Sequence, residues 1–168
     1  MFLKIFNKSG KGILFFLLFY LTFTLLIKAN PTEEKIVLAQ VQAFLDAHAS
    51  HRSDIASSLL LEEGMSFSVM EENGKIILEK SLFKEYIEGL ESSKNDLLER
   101  VWGTKVLVHE NIAMVWAPYD FHRNREFIHC GVNVFTLIKT TQGWKIASIA
   151  YTVKKNGCEE SPLGPIRK

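Results

Sequence analysis

Apolar residues recur every three or four positions just after residue 30, which is the spacing of one helix face. The first predicted helix covers 33–48, and the apolar residues on its face are Ile36, Val37, Val41, Phe44 and Leu45. Ser53 and Asp54 predict the N-cap of a short second helix that ends near Leu61. Ser81 predicts the N-cap of a third helix, so three helices are expected before residue 95.

Between and after these helices the pattern changes to the alternation that is typical of β-strands. Residues 65–70 alternate between apolar and polar, and the Asn73-Gly74 turn signal connects them to a second strand over 75–79. Residues 99–109 are predicted as one long strand, and three more strands with two tight turns follow up to residue 153. The order predicts an α+β fold, in which a curved antiparallel sheet packs against about three N-terminal helices to form a cone with an internal cavity.

Residues 1–29 have the composition of a targeting segment. They contain four lysines and no acidic residue, and 13–27 form a mostly apolar run. A basic stretch before an apolar core shorter than the ~20 residues of a membrane span predicts a cleaved signal peptide. Ile27 is large for a position next to a cleavage site at Ala29, so a retained N-terminal anchor stays open. We therefore predict a signal peptide or anchor over 1–29, a domain over 30–155 and a tail over 156–168.

The expected export, to the periplasm or out of the cell, affects both charge and cysteine chemistry. The protein would contact a membrane only if residues 1–29 were retained. Their removal takes four of the 20 basic residues and none of the 19 acidic ones, leaving a net charge near −3. Because nucleic-acid binding needs a phosphate-neutralising surface, this charge disfavours it. Cys130 and Cys158 are compatible either with a disulfide or with two separate thiols.

Four short stretches carry a family resemblance: VWAPYDFH at 115–122, FIHCG at 127–131, GWKIASIAYT at 143–152 and Gly157-Cys158. In these stretches and in its order of elements the chain resembles the nuclear-transport-factor-two-like superfamily, and within it the SnoaL-like and lumazine-binding-like groups. That superfamily includes isomerases, dehydratases and polyketide cyclases as well as non-enzymatic binding and association domains. The resemblance therefore implies the fold more strongly than it implies an activity.

Ionisable and aromatic residues cluster in the two strands on either side of a predicted hairpin turn, which suggests the wall of a pocket. If Asn124 and Arg125 form a two-residue turn, Asp120 faces His129 across the hairpin. The two would then act as an acid/base pair that works near neutral pH. With one more residue in the turn, Tyr119 would face His129 instead. A purely structural hydrogen bond between Asp120 and His129 is the alternative interpretation.

Other residue types in these strands suggest the rest of a binding site. By resemblance to the superfamily's isomerases, Tyr119 or Tyr151 would donate a hydrogen bond to a developing oxyanion. The predicted ligand-binding residues are Trp116, Tyr119, His122, Asn133, Phe135, Trp102, Phe67 and Tyr151. The histidines, cysteines and Asp120 lack the spacing of a zinc motif, so we predict neither a metal site nor a cofactor.

Three functions remain open on the sequence alone. The first is binding of a small apolar or aromatic molecule, and the second is a cofactor-free isomerase, dehydratase or hydrolase that uses Asp120 and His129. The third is a structural dimerisation domain without an open pocket. The sheet also has an aliphatic face that a monomer rarely leaves exposed, so we predict a homodimer through the sheet. The residues of this face are Val115, Ala117, Val132 and Val134.

Overall fold

The computed structural model describes residues 32–166, so the predicted signal peptide or anchor over 1–29 lies outside the described residues. Its three helices are α1 (Glu33–Ala49), α2 (Ser53–Leu59) and α3 (Phe83–Ser92). The residues of α1 that are buried include Val37, Val41, Phe44 and Leu45, at the spacing of one helix face. The structure therefore confirms the predicted apolar face of the first helix. Within residues 32–166, no helix combines the length and the apolar character that crossing a membrane requires.

Seven strands form one curved, open sheet. They are β1 (Leu60–Glu72), β2 (Lys75–Leu82), β3 (Leu97–Val101), β4 (Lys105–His109), β5 (Ile112–Arg123), β6 (Glu126–Thr140) and β7 (Gly143–Val153). The order across the sheet is β2-β1-β7-β6-β5-β3, and β4 also pairs with β5. All pairs are antiparallel except β1 with β7, which run parallel, an arrangement that requires a long connection such as the one between them. The α+β class is confirmed, and the sheet is mixed rather than purely antiparallel.

The single strand predicted over 99–109 is wrong, because the chain divides there into β3 and β4. Gly103 adopts a left-handed backbone with a φ of 53°, which interrupts the extended conformation. The neighbouring Trp102 N–H donates to the carbonyl oxygen of Pro118 at 3.1 Å. As a result β3 pairs with the end of β5, and β4 pairs with its beginning.

The hairpin between β5 and β6 has the predicted two-residue turn, but its register differs from the prediction. Asn124 and Arg125 both have positive φ, 53° and 67°, as a tight hairpin turn requires. Farther from the turn, an irregularity between Phe121 and His122 shifts the pairing by one residue. Asp120 therefore lies opposite Cys130, and Phe121 lies opposite His129. Paired residues share a face, so the predicted Asp120–His129 pair is wrong.

The helices pack on one face of the sheet, which we call the concave face. Val115, Ala117, Tyr119 and Phe121 of β5 lie there and are buried against the helices. The predicted aliphatic face is thus divided by the register shift, since Val132 and Val134 belong to the opposite, convex face, where they are half-buried. Val115 and Ala117, the residues of the predicted face that lie on β5, are therefore covered by the helices of the same chain.

The C-terminal tail is attached to the sheet by a disulfide. Cys130 and Cys158 are bonded, with their Cα atoms 6.1 Å apart, which decides between the two alternatives left open by the sequence. The backbones of Cys130 and Lys154 also exchange two hydrogen bonds of 2.9 and 2.8 Å. Further along, Arg100 donates to the carbonyl oxygen of Gly164 at 2.7 Å. The tail is therefore held to β6 and β3 rather than extending freely.

Candidate functional site

A cavity of about 280 Å³ opens between α1, α3 and the concave face of the sheet. Its lining residues are Phe44, Leu45, His48, Ser66, Phe83, Tyr86, Glu99, Phe121, Arg123, His129, Asn133, Phe135, Ile149 and Tyr151. The volume lies just below the ~300–1,000 Å³ range that is common for ligand pockets. Two larger clefts, of about 1030 and 620 Å³, are lined mostly by exposed residues and resemble surface grooves. Of these three, the smaller cavity combines aromatic walls with several ionisable groups.

Glu99 is the acidic group of this cavity. It comes from β3 and is half-buried, and the Asn133 side-chain N–H donates to its Oε1 at 2.7 Å. Among the described residues, no lysine or arginine lies within ion-pair distance of Glu99. Burial raises the pKa of Glu99 from its ordinary 4.5 to about 7; the Asn133 hydrogen bond lowers it, and the charge of Asp120 raises it further. Near neutral pH, Glu99 can therefore either give or take a proton.

His129 is the basic group of the cavity, and its hydrogen bonds define its tautomer. The hydroxyl of Tyr119 donates its only proton to the carbonyl oxygen of Thr152 at 2.9 Å. The same hydroxyl lies 3.0 Å from His129 Nδ1, so it must accept a hydrogen bond from Nδ1–H. The neutral ring then carries a lone pair on Nε2. Glycine is required at 131, because a Cβ there would collide with the Thr152 carbonyl that anchors this chain of hydrogen bonds.

The surroundings of His129 keep its ring neutral. Burial lowers its pKa, and the positive charges of Arg123 and Lys155 lower it further. The ring lies against Phe121, with centroids 5.1 Å apart and planes inclined by 31°. At neutral pH, Nε2 of His129 is therefore an acceptor or a base rather than a cationic donor.

His48 of α1 adds a third polar group to the wall. Its Nδ1 lies 2.8 Å from the hydroxyl of Tyr86 on α3. Burial lowers the pKa of His48 to about 4, with a contribution from the charge of His51, so the ring is neutral. Its Nε2 is buried and has no hydrogen-bond partner among the described residues. An unsatisfied buried nitrogen in a cavity wall is costly in a folded protein unless a ligand or a water molecule meets it.

Strand register places the acid and the base on the same side of the cavity. Glu99 pairs with Phe121, and Phe121 pairs with His129, so the three side chains form one row across β3, β5 and β6. Two strand spacings separate the backbones of Glu99 and His129 by about 10 Å. A molecule of one or two rings that lies over Phe121 would contact both groups.

Asp120, in contrast, belongs to a cluster on the convex face. The Arg100 guanidinium donates to Asp120 Oδ1 at 2.8 Å and forms a second bond to Oδ2. His122 Nε2 lies 3.3 Å from the same carboxylate, although neither ring nitrogen of His122 makes an aligned hydrogen bond within the described chain. Asp120 and His122 are therefore outside the cavity, which corrects both site predictions. Nowhere in 32–166 do three His, Cys, Asp or Glu side chains come together as metal ligands.

Some of the remaining predicted site residues line the cavity, and the others do not. Asn133, Phe135 and Tyr151 line the cavity, as His129 does. Trp116 lies on the convex face with 42% of its surface exposed, and the cavity lining does not include Trp102 or Phe67. Tyr119 is 1% exposed and lies behind His129, where it positions the ring.

No protein-family model and no curated protein matches this sequence. Solved structures do match its fold. A candidate dehydratase of the NTF2-like (nuclear-transport-factor-two-like) family from Streptomyces avermitilis is 16% identical over 73% of this chain and 96% of its own, with a TM-score of 0.56. An NTF2-like protein from Cytophaga hutchinsonii is 12% identical over 73% and 99%, with a TM-score of 0.60. One with a cystatin-like fold from Novosphingobium aromaticivorans is 13% identical over 88% and 92%, with a TM-score of 0.58.

The chain has the NTF2-like fold. Within this NTF2-like domain, sequence reasoning missed Glu99, His48 and Arg123 as cavity residues. A signal for Glu99 was present, because Leu97, Glu99 and Val101 alternate on one side of a strand and Leu97 is buried. His48 gave no such signal, since its role depends on how α1 lies across the sheet.

Proposed function

We propose that this NTF2-like domain binds a small, partly aromatic molecule in the cavity on the concave face. The observation that carries the proposal is Glu99, a carboxyl in the cavity wall that is stabilised by an amide and, among the described residues, by no cation. A carboxyl with a purely structural role is more often paired with a cation, because an uncompensated buried charge is unfavourable. The aromatic side chains around it supply flat apolar contact area.

Binding of a neutral two-ring probe tests this proposal. We expect 2-naphthamide to bind to the mature protein with a saturable change in fluorescence. Ser66→Leu adds an apolar side chain to the cavity wall and should weaken binding, whereas Ser148→Leu, at a β7 position outside the lining, should not. Absence of saturable binding, or equal binding by both variants, would contradict a ligand site in this cavity.

Proton transfer is a second candidate function, with Glu99 and His129 in place of the pair predicted from the sequence. Its support is specific: one group has a pKa near neutrality and the other keeps a lone pair on Nε2. A general base of this kind typically accelerates proton abstraction about a hundredfold or more. One structural neighbour is described as a candidate dehydratase, a description that applies to that protein alone.

Exchange of carbon-bound hydrogen in heavy water tests the second candidate. We expect the protein to accelerate deuterium incorporation next to the carbonyl of 2-tetralone, a two-ring ketone, and Glu99→Gln to abolish the acceleration. Glu71→Gln, which removes an exposed carboxylate of β1, serves as the control. Exchange at the rate of buffer would leave binding as the function, and acceleration that survives in Glu99→Gln would show that Glu99 is not the base.

We also propose export, which the disulfide between Cys130 and Cys158 supports because such bonds persist in oxidising compartments. The basic and apolar composition of residues 1–29 supports it further. Fractionation of cells that express the full chain, followed by mass measurement, tests the proposal. A periplasmic or secreted product that lacks 1–29 is expected; a full-length product in the membrane fraction would indicate the anchor.

Homodimerisation through the convex face remains a proposal. Large apolar side chains are exposed together on β4, β5 and β6, namely Leu107, Ile112, Trp116 and Ile138, and Ile112 pairs with Ile138. A second copy of the same face would bury them. Light scattering should detect a dimer that Trp116→Lys dissociates and that Leu163→Lys, at an exposed leucine of the tail, does not. A monomeric unsubstituted protein would overturn the proposal.

A further inference from the structure

Arg123 is the one exposed residue of the cavity lining, which places it at the mouth of the cavity. It is the last residue of β5, on the same face as Phe121, and its guanidinium carbon lies 6.0 Å from the centroid of the Phe121 ring. Glu126 lies opposite it in the register. Even so, no carboxylate among the described residues reaches ion-pair distance of Arg123. The mouth therefore carries an arginine that is not ion-paired within residues 32–166.

A second positive charge, outside the cavity lining, also acts on His129. Lys155, just after the end of β7, is exposed and makes no ion pair within residues 32–166. Both Lys155 and Arg123 are near enough to His129 to depress its pKa. The inner wall differs, because its ionisable groups are the acid Glu99 and neutral rings. The cavity thus has a positive mouth and an interior without positive charge.

We propose that the ligand is an aromatic carboxylate with a single negative charge, oriented with its carboxylate toward Arg123 and its rings in the cavity. This inference rests on the proposed binding function and deepens it. A planar guanidinium recognises a planar carboxylate through two parallel hydrogen bonds, which a neutral amide cannot match. A second negative charge on the rings would lie in the interior beside Glu99, where a carboxylate would repel it. We therefore expect the ligand to carry one carboxylate, placed at the mouth.

The test compares 2-naphthoate with 2-naphthamide, which share their rings and differ in charge. At about pH 6 the naphthoate is ionised and Glu99 is mostly protonated. We expect the naphthoate to bind about tenfold more tightly, which corresponds to about 1.4 kcal/mol. The preference should fall as salt is added, because Arg123 is exposed and its attraction is screened.

Two arginine variants locate the source of the preference. Arg123→Gln should abolish this preference, because it should weaken binding of 2-naphthoate much more than binding of 2-naphthamide. Arg125→Gln is the matched control, since Arg125 is in the same turn, is 67% exposed and is absent from the cavity lining. Binding of the amide by both variants shows that they are folded.

The outcomes separate this inference from the function on which it rests. Equal binding of the two probes by the unsubstituted protein, or a preference that persists in Arg123→Gln, would overturn the carboxylate inference and leave the binding site in place. If neither probe binds, both the inference and the proposed binding function fail.

Discussion

Glu99 and Asp120 are two carboxyl groups on neighbouring strands with opposite surroundings. Asp120, on the convex face, is held by the Arg100 guanidinium at 2.8 Å. Glu99 precedes Arg100 in the chain, but successive strand residues point to opposite faces, so Arg100 cannot neutralise it. Glu99 instead faces the cavity with the amide of Asn133. Arg100 therefore neutralises the carboxylate on its own face of the sheet, Asp120, and not the carboxyl group next to it in the sequence, Glu99.

The largest effect should come from breaking the ion pair on the convex face. Asp120→Asn leaves Arg100 partly buried and unpaired, so we expect the free energy of unfolding to fall by about 3 kcal/mol in urea titrations. Asp54→Asn breaks the exposed Arg52–Asp54 pair and is the control, with almost no expected change. Equal, small losses for both variants would show that the Asp120 cluster is not a structural element.

Removal of the disulfide tests whether the attachment of the tail affects stability without affecting binding in the cavity. Replacing both Cys130 and Cys158 by serine removes a link across 28 residues, and we expect a loss of about 3 kcal/mol in the free energy of unfolding. Binding of 2-naphthamide in the folded protein should persist, because the cavity lining contains neither cysteine. Loss of binding in a variant that remains folded would mean that the two faces are coupled.

Glu99→Gln should change stability in the opposite direction to Asp120→Asn. The pKa of Glu99 is raised to about 7 in the folded state, so between pH 4.5 and 7 the folded protein binds a proton that the unfolded chain has released. Stability is therefore lost as pH rises through that window, and the neutral glutamine avoids the loss.

We expect Glu99→Gln to raise the free energy of unfolding by about 2 kcal/mol at pH 8 and to have little effect at pH 4.5. Urea titrations at the two pH values provide the measurement, with Glu71→Gln as the exposed control. A destabilising effect at pH 8 would mean that Glu99 is held as a stabilising carboxylate, as Asp120 is.

The smallest effect concerns the cavity mouth. Arg123→Gln removes a positive charge that depresses the pKa of His129, so that pKa should rise toward its ordinary value. NMR titration of the imidazole signals measures it, and Arg125→Gln provides a comparison at the other arginine of the turn. A His129 pKa that is the same in both variants and in the unsubstituted protein would place Arg123 too far from the ring to act on a ligand there.

Local signals in the sequence predicted most of the helices and strands, but not the division of 99–109 into two strands and not the face on which each side chain of the hairpin lies. Helix α1 follows from its apolar spacing, and the turn at Asn124-Arg125 follows from asparagine's tolerance of a left-handed backbone. The register shift beyond His122 has no such local marker, although it moves His129 away from Asp120. A site built on sheet register is therefore uncertain by one residue, which is enough to reverse the face.

The ionisation of Glu99 is the most direct test of the account. Carbon-13 NMR of the glutamate side-chain carboxyl groups, titrated from about pH 3 to pH 9, would follow it, with Glu99→Gln for assignment. We expect the signal of one glutamate to titrate near pH 7 and to be missing from the spectrum of the variant. If every glutamate titrates below pH 5, Glu99 is an ordinary solvated carboxylate, and the cavity loses the acid on which the proposed site depends.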